Sequence, residues 1–168
     1  MGYTTDFYGQ FELDRPLAPK HAEYLNQFSE TRRMKRNAGV AAKLPDPTRE
    51  AAGLPIGTEG EYFVGAGGDF GQNSDESVLD YNGPPRTQPG LWCQWVPTED
   101  GLGIEWNGTE KFYYYVEWLE YIVENFLKPW GYVLNGAVEW SGEERGDVGI
   151  IKVKDNVVTA YQGMVVYE

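Results

Sequence analysis

The sequence is poor in the residues that most often ligate metals or form covalent links. Its 168 residues include one cysteine, Cys93, and one histidine, His21. A single cysteine excludes an intrachain disulfide, and the two residues together are too few for an ordinary zinc site. Cys93 lies in an apolar segment, which predicts a buried, unreactive thiol. His21 lies on the apolar side of a predicted helix, which favours a packing role over that of a general base. We therefore expect no metal and no cofactor.

Long hydrophobic runs are also missing. Nowhere do roughly 18 apolar residues follow one another, so we predict no membrane-spanning helix. The first residues, MGYTTDFYGQF, lack both the basic and the apolar region of a signal peptide. These absences, together with the lack of a disulfide, predict a cytoplasmic protein that does not bind a membrane.

Positive charge is scarce. The 14 lysines and arginines stand against 26 aspartates and glutamates, which gives a formal net charge of −12. Because such a surface repels phosphates, we expect no non-specific binding of nucleic acid. One cluster concentrates the basic residues that exist, and it comprises Arg32, Arg33, Lys35 and Arg36. We assign this cluster to the last turn of the first helix, where cations stabilise the carbonyl end, and keep it as the candidate anion-binding site.

Aromatic residues are abundant, at 15% of the chain, and all six tryptophans lie between Trp92 and Trp140. A hydrophobic share of 41% predicts one globular domain over residues 1–168. Alternating apolar and polar residues predict strands at 3–13 with a break at Gly9, 61–64, 77–81, 91–97, 102–106, 132–140, 148–154 and 157–162, with a further edge strand at 164–167. Because both faces of 91–97 are apolar, we place that strand at the centre of the sheet.

Two helices are predicted, from Pro19 to about Arg33 and from about Thr109 to Lys128. Residues 37–60 should form a loop with a short helical turn near residues 48–52. Successive strands are joined by short turns, and Asp155-Asn156 has the composition of a two-residue hairpin loop. The sequence thus predicts an α+β fold, a mainly antiparallel sheet with two helices packed on one face.

The second helix carries two distinct apolar faces. A stripe that should pack in the core comprises Phe112, Val116, Leu119, Ile122, Val123 and Phe126. An aromatic flank away from that stripe comprises Tyr114, Trp118 and Tyr121, with Glu117 beside it. This flank is either covered by a loop or is a binding surface, because tyrosine and tryptophan are enriched at interface hot spots. These four residues are the candidate binding residues.

Other motifs are weaker. The glycine-rich residues 65–71 lack the lysine and the spacing of a phosphate-binding loop, which favours a loop or bulge. Asp69 lies within this stretch and Asp75, Glu76 and Asp80 follow it, but without the pattern of a calcium loop. Glu105, Glu117 and Glu120 lie among aromatic residues, and paired carboxylates can act as acid and base, so carboxylate catalysis is a further possibility.

Three segments carry a resemblance to known sequences: MGYTTDF at the start, FSETRRMKR at 28–36, and the block from GLWCQWVPTEDG to FLKPWGYVLNG at 90–136. With these the chain resembles a family of small uncharacterised bacterial and phage proteins. The resemblance implies a prokaryotic or viral cytosolic origin and transfers no catalytic residue.

We interpret the chain as an interaction protein without catalysis, which binds a protein partner or itself. In a phage this protein would inhibit a host factor. Two alternatives stay open. One is a small hydrolase or transferase that uses carboxylates in an aromatic cleft, and the other is a binder of a small, nucleotide-like ligand.

Overall fold

The computed structural model describes residues 2–66 and 74–166, and the chain divides into two compact units. Unit 1 combines Met1–Leu17 with Gln94–Glu168, and unit 2 is Ala18–Cys93. Unit 2 is therefore an insertion within the sequence of unit 1. The single domain over residues 1–168 stays a prediction.

The strands of the described residues are β1 Thr5–Tyr8, β2 Phe11–Leu13, β3 Lys35–Arg36, β4 Val78–Asp80, β5 Trp95–Pro97, β6 Gly103–Trp106, β7 Leu134–Gly142, β8 Val148–Lys154 and β9 Val157–Gln162. Their helices are α1 Pro19–Glu30, α2 Ala38–Ala41, α3 Pro47–Ala51 and α4 Tyr115–Ile122, which continues into a π-helix at Val123–Leu127. Among these residues no helix is long and apolar enough to cross a membrane.

Unit 1 is built on a seven-stranded sheet in the order β5-β6-β2-β7-β8-β9, with β1 also paired to β7. All its pairings are antiparallel, so the predicted α+β class with a mainly antiparallel sheet is confirmed. β1 and β2 lie end to end along β7 and are separated at Gly9, whose φ of 100° suits only glycine. The predicted break at Gly9 is confirmed. The packing of two helices on one face stays a prediction, since α1 belongs to unit 2.

The core of unit 1 lies between the sheet and α4, and Phe7 is at its centre. The Phe7 ring meets those of Tyr115, Trp95 and Phe112 edge-on, with centroids 4.9, 5.4 and 5.7 Å away. The predicted core stripe of the main helix is buried at Phe112, Leu119, Ile122, Val123 and Phe126, while Val116 is half-buried. The stripe is thus confirmed as core, except at Val116.

The main helix is shorter than predicted and is not α-helical throughout. It begins at Tyr115 rather than Thr109, because Lys111 and Tyr114 adopt left-handed φ values of 63° and 58° that no α-helix accommodates. From Val123 the helix is a π-helix, in which each hydrogen bond joins residues five apart in sequence rather than four. The N–H of Lys128 donates to the carbonyl of Val123 at 2.9 Å. This π-turn ends the helix.

Strand β5 is at an edge of the sheet, so its predicted central place is wrong. Only Trp95–Pro97 of the predicted 91–97 is a strand, and it pairs with β6 alone. Pro97 has no N–H to offer a further neighbour, and residues 91–94 leave the sheet although Cys93 is buried as predicted. The strand predicted at 61–64 is also wrong. Two left-handed glycines, Gly60 and Gly65, bracket this segment, which begins as a turn.

The hairpin of β8 and β9 has the predicted boundaries. Asp155 and Asn156 both adopt positive φ, 47° and 70°, as its two-residue loop requires. The Asn156 side chain accepts a hydrogen bond from the N–H of Leu134 at 2.7 Å and donates one to the carbonyl of Tyr132 at 3.0 Å. The hairpin is thereby fixed to the start of β7. Of the edge strand predicted at 164–167, residues 164–166 are not a strand, and Tyr167 lies outside the described residues.

In unit 2, α1 begins at Pro19 as predicted but ends at Glu30 rather than Arg33. Thr31 is extended, and its hydroxyl donates to the carbonyl of Gln27 at 2.7 Å, which ends the helix. The basic cluster therefore follows α1 and does not form its last turn, contrary to the prediction.

The loop predicted at 37–60 contains two short helices. α3 confirms the helical turn near residues 48–52, whereas α2 was not predicted. The side chain of Asn37 caps α2 by accepting the N–H of Val40 at 3.1 Å. The strand predicted at 77–81 is confirmed as β4, which pairs with β3.

A buried ion pair holds the end of this loop. Asp46 is 2% exposed, and its Oδ2 accepts a hydrogen bond from Nε of Arg49 at 2.6 Å. Its Oδ1 accepts the N–H groups of Val64 and Gly65 at 3.3 and 2.9 Å. Arg49 also donates to the carbonyl of Leu54 at 2.6 Å. One carboxylate thus joins α3 to the segment that follows it.

Candidate functional site

The structure divides the predicted aromatic flank. Trp118 is fully buried and Tyr121 is 7% exposed, whereas Tyr114 is 56% exposed. Glu117 is exposed on the first turn of α4. Of the two alternatives left open for this flank, burial applies to Trp118 and Tyr121, and exposure applies to Tyr114. The candidate surface keeps Tyr114 and Glu117.

Tyr114 and Glu117 border a solvent-open pocket of about 290 Å³ in unit 1. The residues that line it, which we call the Tyr114 pocket, are Tyr114, Tyr115, Val116, Glu117 and Trp140. Three of the five are aromatic, and Glu117 is the one charged residue. The pocket thus combines aromatic walls with a single carboxylate.

Trp140 is fixed in this pocket by hydrogen bonds around its indole. Its Nε1–H donates to Oδ1 of Asp147 at 3.0 Å. Oδ2 of the same carboxylate accepts the hydroxyl of Tyr3 at 2.7 Å, and that hydroxyl accepts the N–H of Glu144 at 2.9 Å. Opposite Trp140 on β8 is Gly149, where any Cβ would overlap the indole ring. A residue without a side chain is therefore needed at position 149 to leave room for the Trp140 ring.

Tyr115 forms the other fixed wall. Its ring lies 5.6 Å from that of Trp140 and 4.9 Å from that of Phe7, so it contacts both the pocket and the core. Burial, together with the negative charges of Asp147 and Glu117 that repel the phenolate, raises the pKa of Tyr115 to about 12. The hydroxyl therefore stays protonated at neutral pH.

Replacing Tyr115 by phenylalanine is expected to reduce the sensitivity of the fold to alkali. Between pH 10.0 and about 12 the unfolded chain loses the Tyr115 proton while the folded chain keeps it, so rising pH favours unfolding in this window and not below it. Denaturant unfolding measured across the window should show a steeper loss of stability in wild type than in Tyr115→Phe. A matched Tyr161→Phe change at an exposed tyrosine serves as the control. Equal slopes in wild type and Tyr115→Phe would contradict this assignment.

Tyr114 is held outward by its backbone. Its left-handed conformation, at φ 58° and ψ 39°, places it just before the first turn of α4. A tyrosine in this region is uncommon and carries a conformational cost that the surrounding structure must offset. The preceding residue, Tyr113, is 47% exposed, and its hydroxyl accepts the N–H of Tyr3 at 3.0 Å. The N-terminal segment is thereby tied to the loop that presents Tyr114.

Sequence reasoning missed most of this site. Tyr3, Trp140 and Asp147 were not singled out, because Tyr3 lies 144 residues before Asp147 and reaches this turn of the β7–β8 hairpin only when β1 pairs with β7. The alternation of the β7 segment did place Trp140 on a strand, but nothing local indicated its partner Asp147. A cluster assembled by long-range strand pairing leaves no spacing signal.

The four side chains of the basic cluster contact other residues of unit 2. They do not line one open site. Arg33 and Arg36 are each 1% exposed. The guanidinium of Arg33 lies over the ring of Phe28 and donates to the carbonyl of Phe63. Nη1 of Arg36 donates to Asp75 at 2.9 Å.

The two outer members of the cluster are also engaged. Nε of Arg32 donates to the carbonyl of Tyr81 at 2.9 Å, and Nζ of Lys35 lies 3.1 Å from a carboxylate oxygen of Glu59. Each of the four basic side chains thus has a partner within unit 2. Anion binding by this cluster stays a prediction, and it would have to compete with these contacts.

Asp75, before β4, and Asp80, the last residue of β4, accept hydrogen bonds from residues two positions further along the chain. Asp75 accepts the hydroxyl and N–H of Ser77, and Asp80 accepts the N–H of Asn82 at 3.0 Å. Glu76 is exposed, and Asp69 lies outside the described residues together with most of the glycine-rich stretch. Within residues 2–66 and 74–166, no group of three or more histidine, cysteine, aspartate or glutamate side chains is arranged to hold a metal ion.

Comparison of the chain with protein-family models, with curated proteins and with solved structures finds no match.

Proposed function

We propose that the chain is an interaction protein without catalysis, which binds a protein partner through the Tyr114 pocket. The observation that carries this proposal is the pocket itself: three aromatic side chains and one carboxylate around an open space of about 290 Å³. Open concave sites with aromatic walls and few polar groups are typical binding sites. The proposal places the protein in the cytoplasm of a bacterium or of a phage-infected cell, where it would inhibit a host factor.

The chemistry of the walls favours a cationic group. The faces of tyrosine and tryptophan rings attract an ammonium or guanidinium group, at about 0.5–1 kcal/mol for an exposed contact. The Glu117 carboxylate adds an ion pair of roughly 0–1 kcal/mol at the surface. A lysine or arginine side chain of the partner satisfies both. The net charge of −12 also speeds encounter with a basic surface.

Among the described residues that line the pocket, Glu117 is the one carboxylate. This weakens the alternative of a hydrolase or transferase that uses carboxylates. Both oxygens of Asp147, the carboxylate that is hydrogen-bonded to the indole of Trp140, accept hydrogen bonds, one from Tyr3 and one from Trp140. Among the described residues, Glu117 therefore lines the pocket without a second acid to share acid–base chemistry. A binding role needs only Glu117 and the rings.

The proposal is tested by titrating the protein with N-acetyl-arginine amide while the indole N–H signal of Trp140 is followed by NMR. The signal should shift saturably, with a Kd of about 1 mM or weaker for so small a probe, because a Kd of 1 mM corresponds to roughly −4 kcal/mol. The citrulline analogue has the same shape without the charge and should bind at least about tenfold more weakly. Equal affinity for the two probes, or no shift with either, would contradict a cation pocket.

Variants of the pocket identify the residues that bind. We expect Tyr114→Ser to lose most of the shift and Glu117→Gln to weaken the arginine probe roughly 2–5-fold without affecting citrulline. Tyr161→Ser removes an equally exposed tyrosine elsewhere in unit 1 and should leave binding unchanged. Glu117 also lies in the first turn of α4, where a negative charge stabilises the helix, so the stability of each variant is measured alongside.

A further inference from the structure

Strand β9 leaves one edge of the unit 1 sheet open. Its residues Val157–Gln162 pair with β8 on one side, and no strand of the described residues pairs with the other side. An unpaired strand edge presents a row of backbone donors and acceptors to any extended chain that approaches it. This edge is separate from the Tyr114 pocket and shares no residue with it.

The geometry of the hairpin identifies the groups on this edge. Across a two-residue loop the flanking residues form a hydrogen-bonded pair, and the pairs then alternate in type along the strands. The N–H of Gly163 donates to the carbonyl of Val148 at 2.7 Å, as this alternation requires of the pair that they form. The N–H and C=O groups of Val158, Ala160 and Gln162 therefore point away from β8, toward the open side.

The two strands that end the order β5-β6-β2-β7-β8-β9 differ in protection. The edge formed by β5 has three residues and ends in Pro97, which has no N–H to donate. β9 has six residues, VVTAYQ, without a charge, a proline or an irregularity in its register to β8. Val157 and Tyr161 are 65% and 53% exposed. Soluble proteins usually blunt an edge of this length with lysine, proline or a bulge.

An acidic groove adjoins the open edge. This edge groove, of about 290 Å³, lies where the π-helix approaches the β8–β9 hairpin, and Val158 lines it. Its charged residues are Glu120, Glu124 and Asp155 against the single cation Lys128. The Lys128 ammonium is 3.6 Å from the Glu124 carboxylate, so it already forms an ion pair with one of the three acids. The groove retains negative charge next to unpaired backbone.

We propose that β9 accepts an extended, basic segment of a partner protein as an additional strand, with a lysine or arginine of that segment in the edge groove. Strand addition gives affinity through main-chain hydrogen bonds and specificity through alternate side chains. The three carboxylates select a cationic side chain. A second copy of this chain fits less well, because its β9 brings no charge to the groove and each copy carries −12.

The probe for this proposal is a short synthetic peptide that alternates lysine and valine and is blocked at both ends. We expect it to bind saturably, to shift the amide signals of Val158, Ala160 and Gln162, and to slow their hydrogen exchange. An analogue that alternates glutamate and valine should bind at least about tenfold more weakly. A lysine–valine peptide methylated on every backbone nitrogen should not bind, because neither of its edges keeps an N–H donor that could pair with β9.

The matched protein variants are Ala160→Pro and Thr159→Ala. The N–H of Ala160 points outward and makes no bond to β8, so proline there removes an edge donor while the sheet keeps its ladder. Peptide affinity should fall at least about tenfold in Ala160→Pro and stay unchanged in Thr159→Ala. The double variant Glu120→Gln, Glu124→Gln should weaken the lysine peptide roughly 2–10-fold and flatten its salt dependence.

Several results would overturn the proposal. Unchanged affinity in Ala160→Pro, or undiminished binding of the methylated peptide, would show that the peptide does not extend the sheet. A wild-type dimer in sedimentation that Ala160→Pro converts to a monomer would assign the edge to a second copy instead. The methylated peptide needs no change in the protein, so it decides the question even if Ala160→Pro fails to fold. Tyr114→Ser should leave peptide binding intact, which separates this site from the proposed function.

Discussion

Replacing Leu119 by alanine is expected to lower the free energy of unfolding by about 2–5 kcal/mol. Leu119 is fully buried on α4, within the stripe that packs against the sheet of unit 1. Because protein interiors are closely packed, the neighbours of Leu119 should close only partly around the space that alanine would leave. The cost therefore combines lost burial with a residual cavity. Chemical denaturation followed by tryptophan fluorescence measures it, because every tryptophan except Trp92 belongs to unit 1.

The control for this change is Leu102→Ala at the tip of the β5–β6 hairpin. Leu102 is 40% exposed, so the same deletion there should cost less than about 1 kcal/mol. The comparison separates burial from any general effect of losing a leucine. If Leu119→Ala cost less than about 1 kcal/mol, the stripe would not be the core of unit 1.

Replacing Asp46 by alanine is expected to destabilise unit 2 by about 3–5 kcal/mol. The change leaves the buried guanidinium of Arg49 without its carboxylate, and the N–H groups of Val64 and Gly65 without their acceptor. Because Asp46 and Arg49 are 2% and 8% exposed, water replaces these partners poorly. Hydrogen exchange of amides in α1 and α3 reads out the loss within unit 2 itself.

Two comparisons sharpen this prediction. Asp46→Asn keeps an oxygen acceptor but removes the charge, so it should cost less than alanine and still more than a surface change. Glu124→Gln removes one partner of an ion pair whose side chains are 59–60% exposed, and it should cost no more than about 1 kcal/mol. An Asp46→Ala cost as small as that of Glu124→Gln would show that the buried pair contributes little.

The parts of the fold that local sequence could predict are those that local interactions determine. The β8–β9 hairpin has the predicted boundaries because its strand-forming residues and the two-residue Asp155-Asn156 loop specify its register locally. The position of Leu119 in the core followed in the same way from helical spacing. Gly9 marked the break between β1 and β2 because only glycine tolerates its backbone angles.

The errors arose where distant contacts decide. Helical spacing placed Trp118 and Tyr121 on a separate face from Leu119, but it could not tell whether anything covers that face. Residues with good helical pattern at 109–114 stay outside α4 because Phe112 turns into the core and Tyr114 adopts a left-handed conformation. Two arginines of a cluster that looks solvent-exposed in sequence, Arg33 and Arg36, are buried over aromatic rings. The spacing of residues predicts which face of a helix or strand a side chain lies on. It does not predict which residues pack against that face.

The insertion of unit 2 within unit 1 has a consequence for the order of events on the ribosome. β1 and β2 leave the exit tunnel first, yet their common partner β7 is translated only after all of unit 2 and the β5–β6 hairpin. At roughly 5–20 residues per second, the first strands therefore wait for several seconds before they can pair. The pairings of unit 2 close within a continuous stretch and become available earlier. During synthesis the two N-terminal strands are thus exposed apolar segments, and this interval is when a nascent-chain chaperone would have most to protect.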